Sequence, residues 1–233
     1  MMHDLVRHWE ARRRAVAQQA LSPPHPTALT VTLAREAGTG GMAVGQAVGS
    51  RLGWPVYDHA LLERIAQEMG LRTKLLESVD EKHRVTWLAE AFESFMAVPS
   101  VSESAYVQHL VKTILALGLH GECVIVGRGA GHILPPETTL RIRLIAPLSY
   151  RIAAVSQREG ISKEEAAQWV KTVDRERSAF IRFHFFRDPD DDHNYDLILN
   201  AARMTTDQCA DSIIEALARL KAASPGILVP ASV

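Results

Sequence analysis

The sequence predicts an α/β protein with three layers, a five-stranded parallel sheet flanked by helices. Three observations carry that expectation. Short apolar, β-branched runs recur at 29–34, 55–57, 122–126, 140–146 and 195–199. Segments of helical periodicity separate them, so consecutive strands are joined by crossovers rather than hairpins. Arg35, Asp58 and Arg128 each fall just past a strand end, on the edge where open parallel sheets hold ligands.

At 233 residues, 47% hydrophobic and 23% charged, the chain is long enough for a substantial core and has an ordinary globular composition. A formal net charge of −1 supplies no basic field for nucleic acid or anionic lipid. Neither is an expected partner, and anion binding falls to local arginines. No apolar run approaches the roughly 18 residues of a membrane span. The opening MMHDLVRHWEARRR lacks the apolar stretch of a secretory signal, which makes the cytoplasm the expected compartment. Cys123 and Cys209, on a predicted strand and a predicted helix, read as small buried hydrophobes.

Residues 3–20 read as a charged helix with Leu5, Val6, Trp9 and Val16 as its apolar positions, and SPPHP at 22–26 ends it. An N-terminal helix and Pro-rich linker (1–27) therefore precede a domain at 28–223. Leu29–Ala34 is the first strand, Arg35–Gly41 a small-residue loop with three glycines, and Met42–Leu52 a helix with Val44 and Val48 one turn apart. Strand, glycine loop and helix turn free N–H groups and a helix's positive end toward an anion. The same pattern also makes an ordinary strand-to-helix turn. A full nucleotide loop reads G-x-x-x-x-G-K-[ST]. With its second glycine set on Gly40, Arg35 stands at the first glycine, Gly41 at the lysine and Met42 at the hydroxyl. Glu36 suits either a water-mediated magnesium contact or a solvent-facing position.

The strand Pro55–Tyr57 ends at Asp58, which suits hydrogen bonding to a nucleoside or capping a helix that starts at His59. Helical segments fill 59–119. Glu122–Val126 is a buried strand ending in Gly127-Arg128-Gly129, Leu140–Ala146 another strand, and Leu148–Glu159 a helix. Arg151, one turn into that helix, faces either a donor phosphate or the sheet edge. Ser162 and Glu165 form a capping box for a helix that runs to about Phe186. Asp188, Asp190, Asp191 and Asp192 lack the alternation of a calcium loop, and His184 and His193 lack zinc spacing, so no metal site is expected. Tyr195–Leu199 is the fifth strand. Thr205 with Gln208 caps a last helix whose stripe is Ala210, Ile213, Ile214, Leu217 and Leu220, and 224–233 is a tail. Gly45 and Gly49, a turn apart, let helix and sheet approach.

In order and spacing these motifs resemble the cytidylate kinase-like family of P-loop nucleoside monophosphate kinases, over roughly residues 28–222. LTVTLAREAGTGG looks like that family's strand and loop, and Tyr57-Asp58 like the close of its second strand. VIVGRGAGHIL is similar to its monophosphate-binding segment, Asp174-Arg175-Glu176-Arg177 to its lid, and YDLILNAARMTTDQCADSI to its closing strand and helix. The resemblance implies a P-loop kinase fold with a helical acceptor-binding insertion at about 59–119 and a lid at about 160–187. It implies ATP and Mg²⁺ as cofactors, nucleotides as partners, and phosphoryl transfer to a nucleoside monophosphate, CMP or dCMP. Gly38, Thr39, Gly40, Gly41 and Met42 would cradle the donor phosphates. Asp58 and Arg128 would hold the acceptor, and Arg35, Arg175 and Arg177 would be catalytic. The bland alternative for Arg175 and Arg177 is an exposed helix with local pairs such as Asp174–Arg177 or Asp174–Ser178.

The chain departs from bona fide cytidylate kinases at the absent lysine and hydroxyl, and at Val126 and Gly129, where those enzymes flank Gly-Arg with acids. Relatives with the double glycine typically follow it with a basic residue; here Met42 follows. One well-placed cation on the transferring phosphoryl is worth roughly 10³ to 10⁵ in rate. A helix N-terminus contributes only about 0.3–2 kcal/mol. Arg35 or a lid arginine therefore has to replace the lysine. Two other functions stay open: nucleotide binding without turnover, and a kinase for another small acceptor. The N-terminal helix and the amphipathic segments are compatible with a homodimer.

Overall fold

The computed structural model of the protein describes residues 28–58, 60, 62 and 105–223. The expected N-terminal helix and linker, most of the helical insertion and the tail lie outside the described residues. Among those described, the elements alternate as expected. Strand β1 (Thr30–Arg35) is followed by α1 (Gly41–Leu52), β2 (Val56–Tyr57), α2 (Ala105–His120), β3 (Val124–Val126) and the short α3 (Ala130–Ile133). Then come β4 (Thr139–Ile145), α4 (Leu148–Glu159), α5 (Lys163–Phe185), β5 (Leu197–Asn200) and α6 (Thr206–Ala223).

All pairings among the described strands are parallel, in the order β2-β3-β1-β4-β5. β1 is central because it is flanked on both sides, Val31 opposite Val124 and Leu140. Its Val31 and Leu33 face the same way as Val124 and Val126 of β3 and Leu140, Ile142 and Leu144 of β4. Val44 and Val48 of α1 and Ile213 and Leu217 of α6 close over them in one core. On the opposite face, Ile125 and Tyr57 pack under α2 and α3, through Leu110, Ile114 and Ile133.

The caps are those the sequence marks. Glu165 N–H donates to Ser162 Oγ at 3.2 Å, and the Ser162 N–H returns to Glu165 Oε2 at 2.9 Å. Thr205 and Gln208 make the same reciprocal pair at the start of α6, 3.2 and 2.9 Å. Two orphan N–H groups at each helix start are thus satisfied.

The sheet is not apolar on both faces throughout. Along the cleft the β1–β4 pair presents Thr32, 3% exposed and close under Gly131 of α3, and Arg143. A parallel strand closed by helices on both sides reads as a near-continuous apolar run. Polar residues on this stretch mark where the sheet faces a cleft instead of a packed helix.

α1 sits close to the sheet because Gly45 and Gly49 carry no side chain. A Cβ at Gly45 would lie 2.9 Å from Val126 Cγ2, and one at Gly49 would lie 2.3 Å from Val56 Cγ2 and 2.8 Å from the Trp54 carbonyl. The approach sets where the loop ahead of α1 falls. Gly49→Ala, favourable by helix propensity alone, is expected to destabilise the fold by about 1–3 kcal/mol through overpacking, read from the midpoint of urea unfolding.

Candidate active site

A cleft of about 940 Å³ opens between the carboxyl ends of β1 and β4, the turn after β3 and one face of α5. Arg35, Arg128, Arg175 and Arg177, four residues from three separate stretches of sequence, all line it. Arg143 and Arg182, which the sequence did not single out, line it too. Gly38 to Met42 and Asp58 are not part of the lining. The loop stands beside the cleft, which reaches it only through Arg35 and Glu36.

Arg35 ends β1, and its side chain spans the site. A Cβ at Gly41 would meet its Cγ at 2.8 Å, and a Cβ at Gly127 would meet its Nη1 at 2.0 Å. The stem therefore crosses the first residue of α1, and the guanidinium rests on the turn after β3. Gly41 occupies the lysine position of a full loop, and the space a side chain would need there belongs to Arg35. Burial, then the charges of Arg177 and Arg128, push the Arg35 pKa down to about 9, with Asp58 partly offsetting them. A guanidinium keeps its proton at neutral pH. Burial is the larger cause, and the repulsion among the three cations that adds to it is what an anion bound between them would relieve.

The second arm is the turn Gly127-Arg128-Gly129, left-handed throughout at φ 90°, 53° and 71°. For Arg128 that conformation costs roughly 1–2 kcal/mol. The turn is held by Gly127 N–H to the Leu33 carbonyl (3.0 Å), Ala130 N–H to Gly127 (3.2 Å) and His132 N–H to Gly129 (2.8 Å). Strain of this kind concentrates at ligand-binding sites.

α5 supplies the roof. Arg177 Nη1 donates to the Arg35 carbonyl at 3.2 Å. Burial lowers the Arg177 pKa, Asp174 opposes the shift and Arg128 adds to it. Arg175 is exposed and makes no hydrogen bond or ion pair among the described residues. The local pairs expected for Asp174 do not form. Its Oδ1 accepts the Ala37 N–H at 2.7 Å, and its Oδ2 pairs with Arg151.

Arg151, 8% exposed, is the hub of a clamp. Its Nε donates to the Ala146 carbonyl at 3.0 Å and its Nη1 to the Ala37 carbonyl at 3.3 Å. Glu36 Oε2 lies 3.4 Å from that Nε and accepts the Ala146 N–H at 2.8 Å. Glu36, part-exposed at the edge of the cleft, thus also braces Arg151, which joins the end of β4 to the loop and to α5. Removing the cation would leave two carboxylates facing each other. Arg151→Met is expected to cost about 3–5 kcal/mol of stability, checked by thermal and urea unfolding.

The loop itself is strained in the way its glycines permit: Gly38 has φ 86° and Gly40 φ 74°. No side chain caps α1, and Gly40 and Ala43 are exposed. The first turn of α1 keeps N–H groups for an anion. Asp58 begins a helical turn, its carbonyl accepting the Leu62 N–H at 2.9 Å, while its charge acts on Arg35. Among the described residues no group of three His, Cys, Asp or Glu side chains gathers around a metal site. Glu36 and Asp174 each share an oxygen with Arg151.

The acidic turn after α5 is tied to the cleft floor. Arg143 donates to Asp190 at 2.7 Å and to the Pro189 carbonyl, and its Cζ lies 5.4 Å from the Tyr195 ring centre. Arg182 pairs with Asp188 at 2.9 Å. A signal for Arg143 existed: Arg141 and Arg143 alternate in an otherwise apolar strand. His132, also lining the cleft, is pushed down to about 4 by burial and then by Arg187 and Arg141. Its folded pKa lies below the unfolded value of about 6.5. The unfolded chain therefore binds the extra proton first, and stability falls as pH drops from about 6.5 toward 4, by up to about 3 kcal/mol. His132→Gln is expected to flatten that part of the pH–stability curve, measured by urea unfolding at stepped pH.

A parallel sheet in the order 2-3-1-4-5, with a glycine loop and helix after its central strand, is the P-loop kinase fold. Residues 30–203 match the model of the cytidylate kinase-like family, and the chain belongs to that family. It is 36% identical over 97 residues to a uronate isomerase of Corynebacterium glutamicum, covering 41% of this chain and 19% of that protein. It is 35% identical over 99 residues to a cytidylate kinase of Methanopyrus kandleri, covering 38% of this chain and 50% of that one. A cytidylate kinase of Thermococcus kodakarensis is 27% identical over 182 residues, covering 77% of this chain and 82% of the relative. The chain thus spans about a fifth and half of the first two. A solved uncharacterized protein from Eubacterium ventriosum has the same fold, with a TM-score of 0.63 at 22% identity over 82% of this chain and 98% of that one. Among the described residues, no helix is long and apolar enough to cross a membrane.

Proposed function

We propose that the protein transfers the γ-phosphoryl group of ATP, supplied as its magnesium complex, to a nucleoside monophosphate of the CMP or dCMP type. The observation that carries this reading is Arg35. Its stem lies across Gly41 at the start of α1 and its guanidinium against Gly127, so one cation bridges the donor loop and the acceptor turn. That is where a loop lysine would otherwise act.

On this reading the N–H groups of Gly38 to Met42 hold the donor phosphates. Arg128, with Asp58 behind Arg35, receives the acceptor phosphate and its nucleoside. Arg177 and the uncommitted Arg175 cancel charge on the phosphoryl group in flight, as a largely dissociative transfer requires. The three crowded guanidiniums are charged and fixed before any substrate arrives, so little reorganisation is left for the reacting state. Residues at about 160–187 would act as the lid that excludes water. Any magnesium would be held by phosphate oxygens and water, as is common for this small, strongly hydrated cation.

A second reading, nucleotide binding without turnover, is favoured by one contact: the Asp174 carboxylate already takes the Ala37 N–H. A coupled assay for ADP with ATP, magnesium and a panel of monophosphates, extended to sugars and cofactor precursors, separates the readings. Acceptor-dependent ADP is expected with CMP or dCMP, and Arg35→Ala is expected to lower kcat by about 10³-fold or more. Nucleotide binding without any acceptor-dependent ADP would establish the second reading.

A further inference from the structure

One face of α5 touches the phosphate-facing elements in succession. Asp174 accepts from Ala37, Arg177 donates to the Arg35 carbonyl, and Phe180 lies against Arg128, whose Cζ is 5.1 Å from the ring centre. One turn further on, Phe185 and Ile181 fill the space a side chain at Gly129 would take, 2.3 and 3.1 Å from such a Cβ. Spacings of three and four put these residues on a single stripe.

The Arg128 backbone is left-handed between two glycines, so the turn itself offers no neighbouring side chain to steady a long cation. The face of an aromatic ring attracts a guanidinium and fixes its plane. Phe180 is in turn held edge-on by Phe185, ring centres 5.8 Å apart, and by His184 at 4.7 Å. Burial lowers the His184 pKa, so the ring beside Phe180 brings no competing positive charge at neutral pH.

We propose that Phe180 is a positioning residue for Arg128: its ring holds the guanidinium facing the cleft, which ties the grip on the acceptor phosphate to the seating of α5. The inference rests on the reading of Arg128 as the acceptor-phosphate ligand. It separates Phe180 from an ordinary core residue, because a filler would be replaced by any apolar side chain of similar size.

The test is calorimetric titration of the full chain with CMP and, separately, with inorganic phosphate, for wild type, Phe180→Leu and Phe180→Tyr. Phe180→Leu keeps apolar packing and removes the ring; Phe180→Tyr keeps the ring. Affinity is expected to fall about 3- to 30-fold in Phe180→Leu and to be retained in Phe180→Tyr. Where turnover is measurable, the acceptor KM is expected to rise by the same factor with kcat and the ATP KM unchanged. Equal affinity in wild type and Phe180→Leu overturns the proposal, as does an equal loss in both variants. Phe180→Met replaces Phe180→Leu should the latter fail to fold. Wild type that binds phosphate but not CMP overturns CMP as the acceptor, and a loss of phosphate affinity in Phe180→Leu but not in Phe180→Tyr then still supports Arg128 as a phosphate ligand positioned by Phe180. Wild type that binds neither overturns both.

Discussion

Three guanidiniums held close together, with Asp58 and Asp174 only partly offsetting their burial and mutual repulsion, are the constraint the rest of the site answers to. Arg35, Arg128 and Arg177 come from the end of β1, the turn after β3 and the middle of α5; Arg128 and Arg177 lower the proton affinity of Arg35, and Arg128 lowers that of Arg177, in each case after burial. Side chains free to move would splay apart. Here the backbone prevents it: Gly41 and Gly127 leave room only for the Arg35 stem and head, and the Arg35 carbonyl accepts a hydrogen bond from Arg177. A phosphate reaching the cleft would find these cations already in place, which is electrostatic preorganisation in its simplest form.

The clamp around Arg151 is the mechanical counterpart of that crowding. It brings together Glu36, Ala37, Ala146 and Asp174, from the loop, the end of β4 and α5, with two carboxylates on one buried cation. Buried ion pairs of this kind are weak evidence for net stability, because desolvation offsets much of their attraction. Their value lies in register. Asp174 is three residues before Arg177 and six before Phe180, so fixing Asp174 on the loop fixes where the next two turns of α5 meet Arg35 and Arg128. The acidic turn at 188–192 extends the same logic, binding the far end of the cleft through Arg143 and Arg182.

The sheet shows why this cleft exists at all. Under α2 its face is apolar and closed, with Ile125 fully buried. Toward the cleft it carries Thr32, close under Gly131 of α3, and Arg143. One sheet thus supplies a packed core on one flank and a polar floor on the other, and the cleft lies over the polar part.

Much of the fold was legible without coordinates. Five apolar runs, Ser162 with Glu165, Thr205 with Gln208, and Gly45 with Gly49 are local signals, and local hydrogen bonding and period-3.6 patterning decide them within a few residues. The candidate arginines were legible too, because arginines that follow strand ends in a parallel sheet are carried to one edge. What the residues could not show was pairing across long separations. Asp174 reads as a partner for Arg177, yet it reaches Ala37, 137 residues away in sequence. Glu36 reads as exposed or metal-facing, yet it joins Arg151, and Arg143 went unmarked inside an apolar strand. The sequence by itself determined which elements form and which charges lie at the sheet's edge, since both follow from spacing along the chain. Which charge faces which was decided only when α4 and α5 folded back over β1, because an ion pair depends on distance in space and nothing in the chain's order records that distance.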